Sequence, residues 1–378
     1  MVFVFWFAVA WVAYAYAGYA VALRVLAWLR PRPVLRGEVS ARVAVIVTVH
    51  NGAGAIREKL ENLLDQDYPS DRLEIVVADD GSDDGTDRLV REEFGARGVR
   101  LVRLDRRGGK ERAQKEAIAS CGGDVLVFTD VGTRLDKHGV ATIVRSFADS
   151  EVGAVSSEDR LLGADGRSTE GEGGYLGYEM ALRRLESRAG SLVGLSGSFF
   201  AARREVCEDF SDRLASDFRT ALRAVRLGMR AVVDEDAIGH YRDVGHGTRE
   251  FDRKVRTVIR GMTVFFAEAS LLNPLRYGLF SWQLLSHKFV RWAVPFAMIA
   301  AFGASAALAP GSRIFALAFA LQIAGYVVAI TSASIPATIP LGPVRSLRYL
   351  VEANAAILVA WVRYLRGERI VTWRPSSR

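Results

Sequence analysis

Residues 45–86, VIVTVHNGAGAIREKLENLLDQDYPSDRLEIVVADDGSDDGT, carry the reading on which the fold turns. The β-branched run from Arg42 to Val49 suits a strand buried on both faces, and it stops at His50, Asn51 and Gly52. Ile56, Leu60, Leu63 and Leu64 then repeat at helical spacing until Asp67, Tyr68 and Pro69 end the helix. A second strand, Leu73 to Ala78, runs into the acidic turn Asp79 to Thr86. Carboxylates at the carboxyl end of a parallel strand lie where open α/β sheets bind ligands, and glycines there let a nucleotide approach the backbone closely. Two further strands are expected at Val99 to Leu104 and Val125 to Phe128, with a helix around Lys110 to Ala119 between them. The resulting βαβαβαβ order, with right-handed crossovers, predicts an α/β, Rossmann-like nucleotide-binding sheet that lacks GxGxxG.

The flanks of this domain have a different character. Residues 2–23 carry no charge and, at 1.5 Å per residue, are long enough as a helix to cross a bilayer core of about 30 Å. The absence of a basic start and of a small-residue cleavage site reads as a retained anchor. Arg24, Arg30, Arg32, Arg36 and Arg42 follow it, so the positive-inside bias predicts an outside N-terminus, with the domain after the anchor in the cytoplasm. Residues 289–309 and 314–333 form a second and third candidate span, a hairpin turning at Pro310 to Arg313. The stretch from Tyr349 to Tyr364 contains Glu352, Asn354 and Arg363 and is expected as an interfacial or protein-packed helix. The expected organisation is an anchor at 1–24, a cytoplasmic domain at 36–270 and a membrane region at 271–378, in an integral protein of the inner (cytoplasmic) membrane.

Two cysteines, Cys121 and Cys207, give neither a disulfide framework nor a zinc ligand set, so a metal would need oxygen or histidine ligands. The net charge of +7 comes from evenly spread arginines without aromatic-interleaved basic motifs, which argues for membrane lipids and against nucleic acid as a partner.

The stretch quoted above resembles the amino-terminal signature of glycosyltransferase family 2, enzymes of GT-A fold that move a sugar from a nucleotide-sugar with inversion. LVFTDVGTRLD is similar to that family's metal-site strand, GLSGSFFAARREV to its acceptor-side loop, and ASDFRTALRAVRLGMRAVVDEDA to the segment bearing its catalytic carboxylate. FDRKVRTVIRG resembles the arginine-bearing segment before the membrane helices, and VTWRPSSR the tail of membrane-bound members. The resemblance covers about residues 42–378, and the joint order of motifs is more specific than any one of them.

It implies Asp217 as the catalytic base, taking the proton of an acceptor hydroxyl. Thr48, His50, Asn51, Asp79, Asp80, Lys110, Asp130, Arg253 and Arg256 are implied for the donor. Arg253, Arg256 and Arg260, spaced by three and four, share a helical face that suits phosphates or anionic lipid. A divalent cation, Mg²⁺ or Mn²⁺, is implied at Asp130 with His240 as a further ligand, although Gly132 stands where the family has a second aspartate. The implied partners are a nucleotide-sugar and a lipid-linked or saccharide acceptor. A processive polysaccharide synthase is an alternative, weakened because Arg253 to Thr257 lacks that group's Gln and Trp. A non-catalytic membrane scaffold is another.

Overall fold

The computed structural model describes residues 1–162, 174–242, 248–332 and 342–370. The tail motif VTWRPSSR lies outside them. The chain divides into two compact units, one comprising 1–25, 246–265 and 281–369 and the other 26–245, 266–280 and 370–378.

The second unit is built on one eight-stranded sheet. Its strands are β1 (Val43–Val49), β2 (Leu73–Asp79), β3 (Val99–Arg103), β4 (Val125–Asp130), β5 (Thr133–Leu135), β6 (Val152–Leu162), β7 (Phe199–Arg203) and β8 (Arg230–Arg242). The order is β3-β2-β1-β4-β7-β6-β8-β5. The four expected strands form the parallel half, and β7 joins antiparallel to both β4 and β6. β1 is buried along its whole length, and alternation explains why it is apolar on both faces. Val43, Val45, Val47 and Val49 pack with Ile56, Leu60, Leu63 and Phe94, whereas Ala44 and Ile46 pack with Ala117, Phe128 and Phe200 on the other side.

Register positions the site. Val49 pairs with Asp79 and Thr48 with Asp130, so β2 and β4 end level with each other on either side of β1. Thr129 pairs with Phe199, which brings the residues just before β7 to that same edge.

Among the described residues three helices are long and apolar enough to cross a membrane, Val2–Leu29, Val294–Gly311 and Arg313–Thr331, and all but the last four residues of the first belong to the first unit. Large apolar side chains stand exposed along them, among them Phe3, Trp28, Ile314 and Leu321. Residues 342–365 form a helix that encloses the expected segment 349–364. Its Asn354 is buried and donates from Nδ2 to the Tyr16 hydroxyl at 2.9 Å.

Candidate active site

At the end of β2 Asp79 is fully buried, and its Oδ1 accepts from the backbone N–H (3.0 Å) and hydroxyl (2.5 Å) of Ser82. Oδ2 lies 3.5 Å from Arg103 Nε but receives no hydrogen bond from the described residues. Burial raises the pKa of this carboxyl against the opposing pull of Ser82 and Arg103. Asp79 thus offers one unsatisfied acceptor at the ligand edge of the sheet.

Asp80 has a different task. Its Oδ1 accepts from the backbone N–H groups of Gly108 (2.6 Å) and Gly109 (2.8 Å), and its main-chain oxygen lies 2.9 Å from His50 Nδ1. The loop before Lys110 is therefore pinned to β2. Gly81 permits this closeness: its φ is +65°, and a Cβ there would come within 2.8 Å of the Arg107 nitrogen.

The rest of the acidic turn braces β1. Asn51, at φ +52°, exchanges hydrogen bonds with Asp83, while Asp84 accepts from the backbone of Ala53 at the start of helix Ala53–Leu64. Thr48 is buried with its hydroxyl unpartnered among the described residues.

The second cluster forms around Lys110, the first residue of helix Lys110–Ser120. Its Nζ lies 2.6 Å from Asp130 Oδ1 and donates to the carbonyl of Gly197 at 2.9 Å. Burial works against the ammonium, but Asp130 and then Asp217 outweigh it and raise its pKa. Asp217 stands in the first turn of helix Ser216–Arg226, and a Cβ on Gly197 would lie 3.3 Å from its Oδ2. Lys110, Asp130, Gly197 and Asp217 therefore meet at one place. Ala215 is the N-cap of helix Ser216–Arg226, and Asp217 forms no side-chain hydrogen bond or ion pair among the described residues, although it lies near enough to Lys110 to act on its charge. This half-buried carboxylate is available to a ligand.

Two supporting residues escaped the sequence reading. Asp159 on β6 accepts from the hydroxyls of Ser196 (2.6 Å) and Ser198 (2.8 Å), fixing the segment that presents Gly197. Lys59 is buried in helix Ala53–Leu64, and its Nζ donates to Thr129 Oγ1 (2.9 Å) and the Thr133 carbonyl (2.5 Å). Burial, only partly opposed by Asp130, lowers its pKa to about 7. Ile56 and Leu63, three before and four after, already place Lys59 on the apolar face of its helix.

The two residues expected as metal ligands, Asp130 and His240, are engaged separately. His240 Nε2 lies 2.9 Å from Asp136 Oδ1, and its buried Nδ1 has no partner among the described residues. Among the described residues no three His, Cys, Asp or Glu side chains converge as metal ligands, and Asp130 is already paired with an ammonium. Arg253 and Arg256 belong to the other unit, on helix Thr248–Ala267, whose buried face is Val255, Ile259 and Met262. Arg253 is exposed and Arg256 half-buried there.

With this geometry in place, the similarities to known proteins become interpretable. Residues 44–210 match the family model Glycosyl transferase family 2. That stretch carries the family's sequence pattern. A mannosyltransferase from Pyrobaculum calidifontis, solved with GDP-mannose and Mn²⁺, superposes with a TM-score of 0.76 at 26% identity, over 97% of this chain and 100% of that one. The eight-stranded sheet is accordingly a GT-A fold. The probable glycosyltransferase YdaM of Bacillus subtilis is 27% identical over 201 residues, 50% of this chain and 47% of that protein. The beta-monoglucosyldiacylglycerol synthase of Synechocystis is 25% identical over 207 residues, 51% of this chain and 43% of that one. The matches thus span under half the length of these two curated relatives.

Proposed function

We propose that the chain is an inverting, membrane-anchored glycosyltransferase that takes a sugar from a nucleotide donor and passes it to a lipid-linked or saccharide acceptor at the cytoplasmic face of the membrane. The observation that carries this reading is the Asp217 carboxylate, without a hydrogen bond among the described residues, beside the Lys110–Asp130 pair, together with Asp79 at the end of β2, whose Oδ2 faces Arg103 but accepts no hydrogen bond from them. Asp79 Oδ2 suits an N–H or O–H of the nucleoside, and Lys110 suits the diphosphate. An acceptor oxygen then attacks the anomeric carbon as Asp217 takes its proton. The bond from that carbon to the diphosphate oxygen breaks, and its electron pair leaves with the nucleoside diphosphate. Attack opposite the leaving group inverts the anomeric centre.

The membrane assignment rests on the three apolar helices and on the arginines that follow the first of them. A reporter fused to the N-terminus is expected on the extracytoplasmic side and one at the C-terminus in the cytoplasm. A cytoplasmic N-terminal reporter would reverse the topology. The activity itself is tested by incubating the purified full chain with a panel of radiolabelled nucleotide-sugars and membrane lipid extract. Label from one donor is expected in the lipid fraction or on an added saccharide, with release of nucleoside diphosphate. No transfer from any donor by folded protein would remove the reading.

A further inference from the structure

A donor's diphosphate carries negative charge that grows as its bond to the sugar breaks, and the site must answer that charge with something positive. At the strand end where the resembling family places an aspartate pair, this chain reads Asp130, Val131, Gly132, so one carboxylate is left. That carboxylate already faces Lys110 Nζ at 2.6 Å.

We propose that Lys110 itself is the counter-charge for the leaving diphosphate, and that this chain binds and cleaves its donor without a divalent cation; the inference rests on the transferase reading above.

Three features support it. An ammonium has three N–H donors, and Lys110 spends one on Asp130 and one on Gly197, which leaves the third unspent among the described residues. A divalent cation would have to displace that ammonium from Oδ1, or bind Oδ2 with a like charge on the same carboxylate, and the repulsion weakens either arrangement. The ammonium is also held in place, which a counter-charge needs if it is to act without rearrangement. Asp80 fixes the Gly108 and Gly109 N–H groups just before it, while Gly197, its second anchor, is fixed through Asp159. From the other side, Lys59 ties Thr129 to Thr133 and so braces the turn that carries Asp130 and Gly132. Lys110 thus places an ammonium against the single carboxylate of this strand end, and Lys59 braces the turn behind it. His240, the remaining candidate ligand, is engaged with Asp136.

Calorimetric titration of the purified full chain with GDP and with UDP, once in excess EDTA and once in Mn²⁺, tests this without relying on turnover. Whichever nucleotide binds is expected to bind with a Kd that differs by less than about twofold between the two conditions. In EDTA, Lys110→Gln is expected to weaken it by about tenfold or more, because a charge-assisted bond to phosphate is lost. Gly132→Asp, which restores the second carboxylate, is expected to make binding respond to Mn²⁺. Wild-type affinity that collapses in EDTA and returns with Mn²⁺ would overturn the inference while leaving the transferase reading intact. Undiminished binding by Lys110→Gln would also overturn it. Failure to bind either nucleotide in both conditions would bring down the transferase reading and the inference together.

Discussion

Asp217→Asn is expected to lower kcat by about 10²- to 10⁴-fold while leaving donor affinity nearly unchanged. A hydroxyl acceptor has a pKa far above neutral, so its attack on the anomeric carbon must be coupled to proton removal. Asn keeps the shape of Asp but cannot take the proton. The fold should lose little, because Asp217 neither caps helix Ser216–Arg226 nor forms an ion pair with the described residues. What is lost is a charge near a helix N-terminus, about 0.3 to 1 kcal/mol. The lost interaction exists mainly in the transition state, so kcat and kcat/KM should fall together. If the acceptor is instead a lipid phosphate, its oxygen is already charged and the loss should be small. Transfer at the wild-type rate to a confirmed hydroxyl acceptor would remove Asp217 as the base.

Lys59 should leave a mark on stability. Its pKa falls from 10.5 to about 7 on folding because its amine is buried. Below pH 7 both folded and unfolded chains carry the proton, and the cost of burying it is fully present. Between about pH 7 and 10.5 the unfolded chain keeps the proton that the folded chain has released, so stability from this group rises with pH. Across that window the change is on the order of 3 to 5 kcal/mol. Lys59→Met fits the same apolar face and cannot titrate, although it leaves Thr129 and Thr133 without their donor, a cost of about 1 to 3 kcal/mol. Thermal unfolding of both proteins in detergent from pH 7 to 10 should therefore show the wild type gaining on the variant as pH rises. Parallel profiles would mean that the amine does not titrate in this range.

Much of the fold was legible because its first half is local. The runs that became β1 to β4 are β-branched and bounded by turn residues, and the apolar spacing from Ile56 to Leu64 could only be a helix. The second half was hidden. GLSGSFFAARREV reads as a loop, yet Phe199–Arg203 forms β7, because Phe200 stacks on Phe128 with ring centroids 4.7 Å apart and thereby finds its place in the core. That contact joins residues far apart in the chain, and periodicity carries no trace of it.

The site shows the same division. Composition marked the turn from Asp79 to Thr86 as a ligand loop, but it could not apportion the carboxylates. Asp79 keeps one oxygen without a hydrogen bond among the described residues, facing Arg103, whereas Asp80, Asp83 and Asp84 are spent on Gly108 and Gly109, on Asn51 and on Ala53. Lys110 was expected to face the donor, and its pairing with Asp130 depends on a strand end and a helix start meeting in space. Asp159 gave no sequence signal, since its partners Ser196 and Ser198 lie nearly forty residues away.

The central claim is that this chain transfers a sugar with inversion, and the product's anomeric configuration reports on it directly. With the donor found in the nucleotide-sugar panel, nuclear magnetic resonance of the product made by the purified full chain should show a β-linked sugar if the donor is α-linked. An α-linked product from that donor would contradict the single displacement assisted by Asp217.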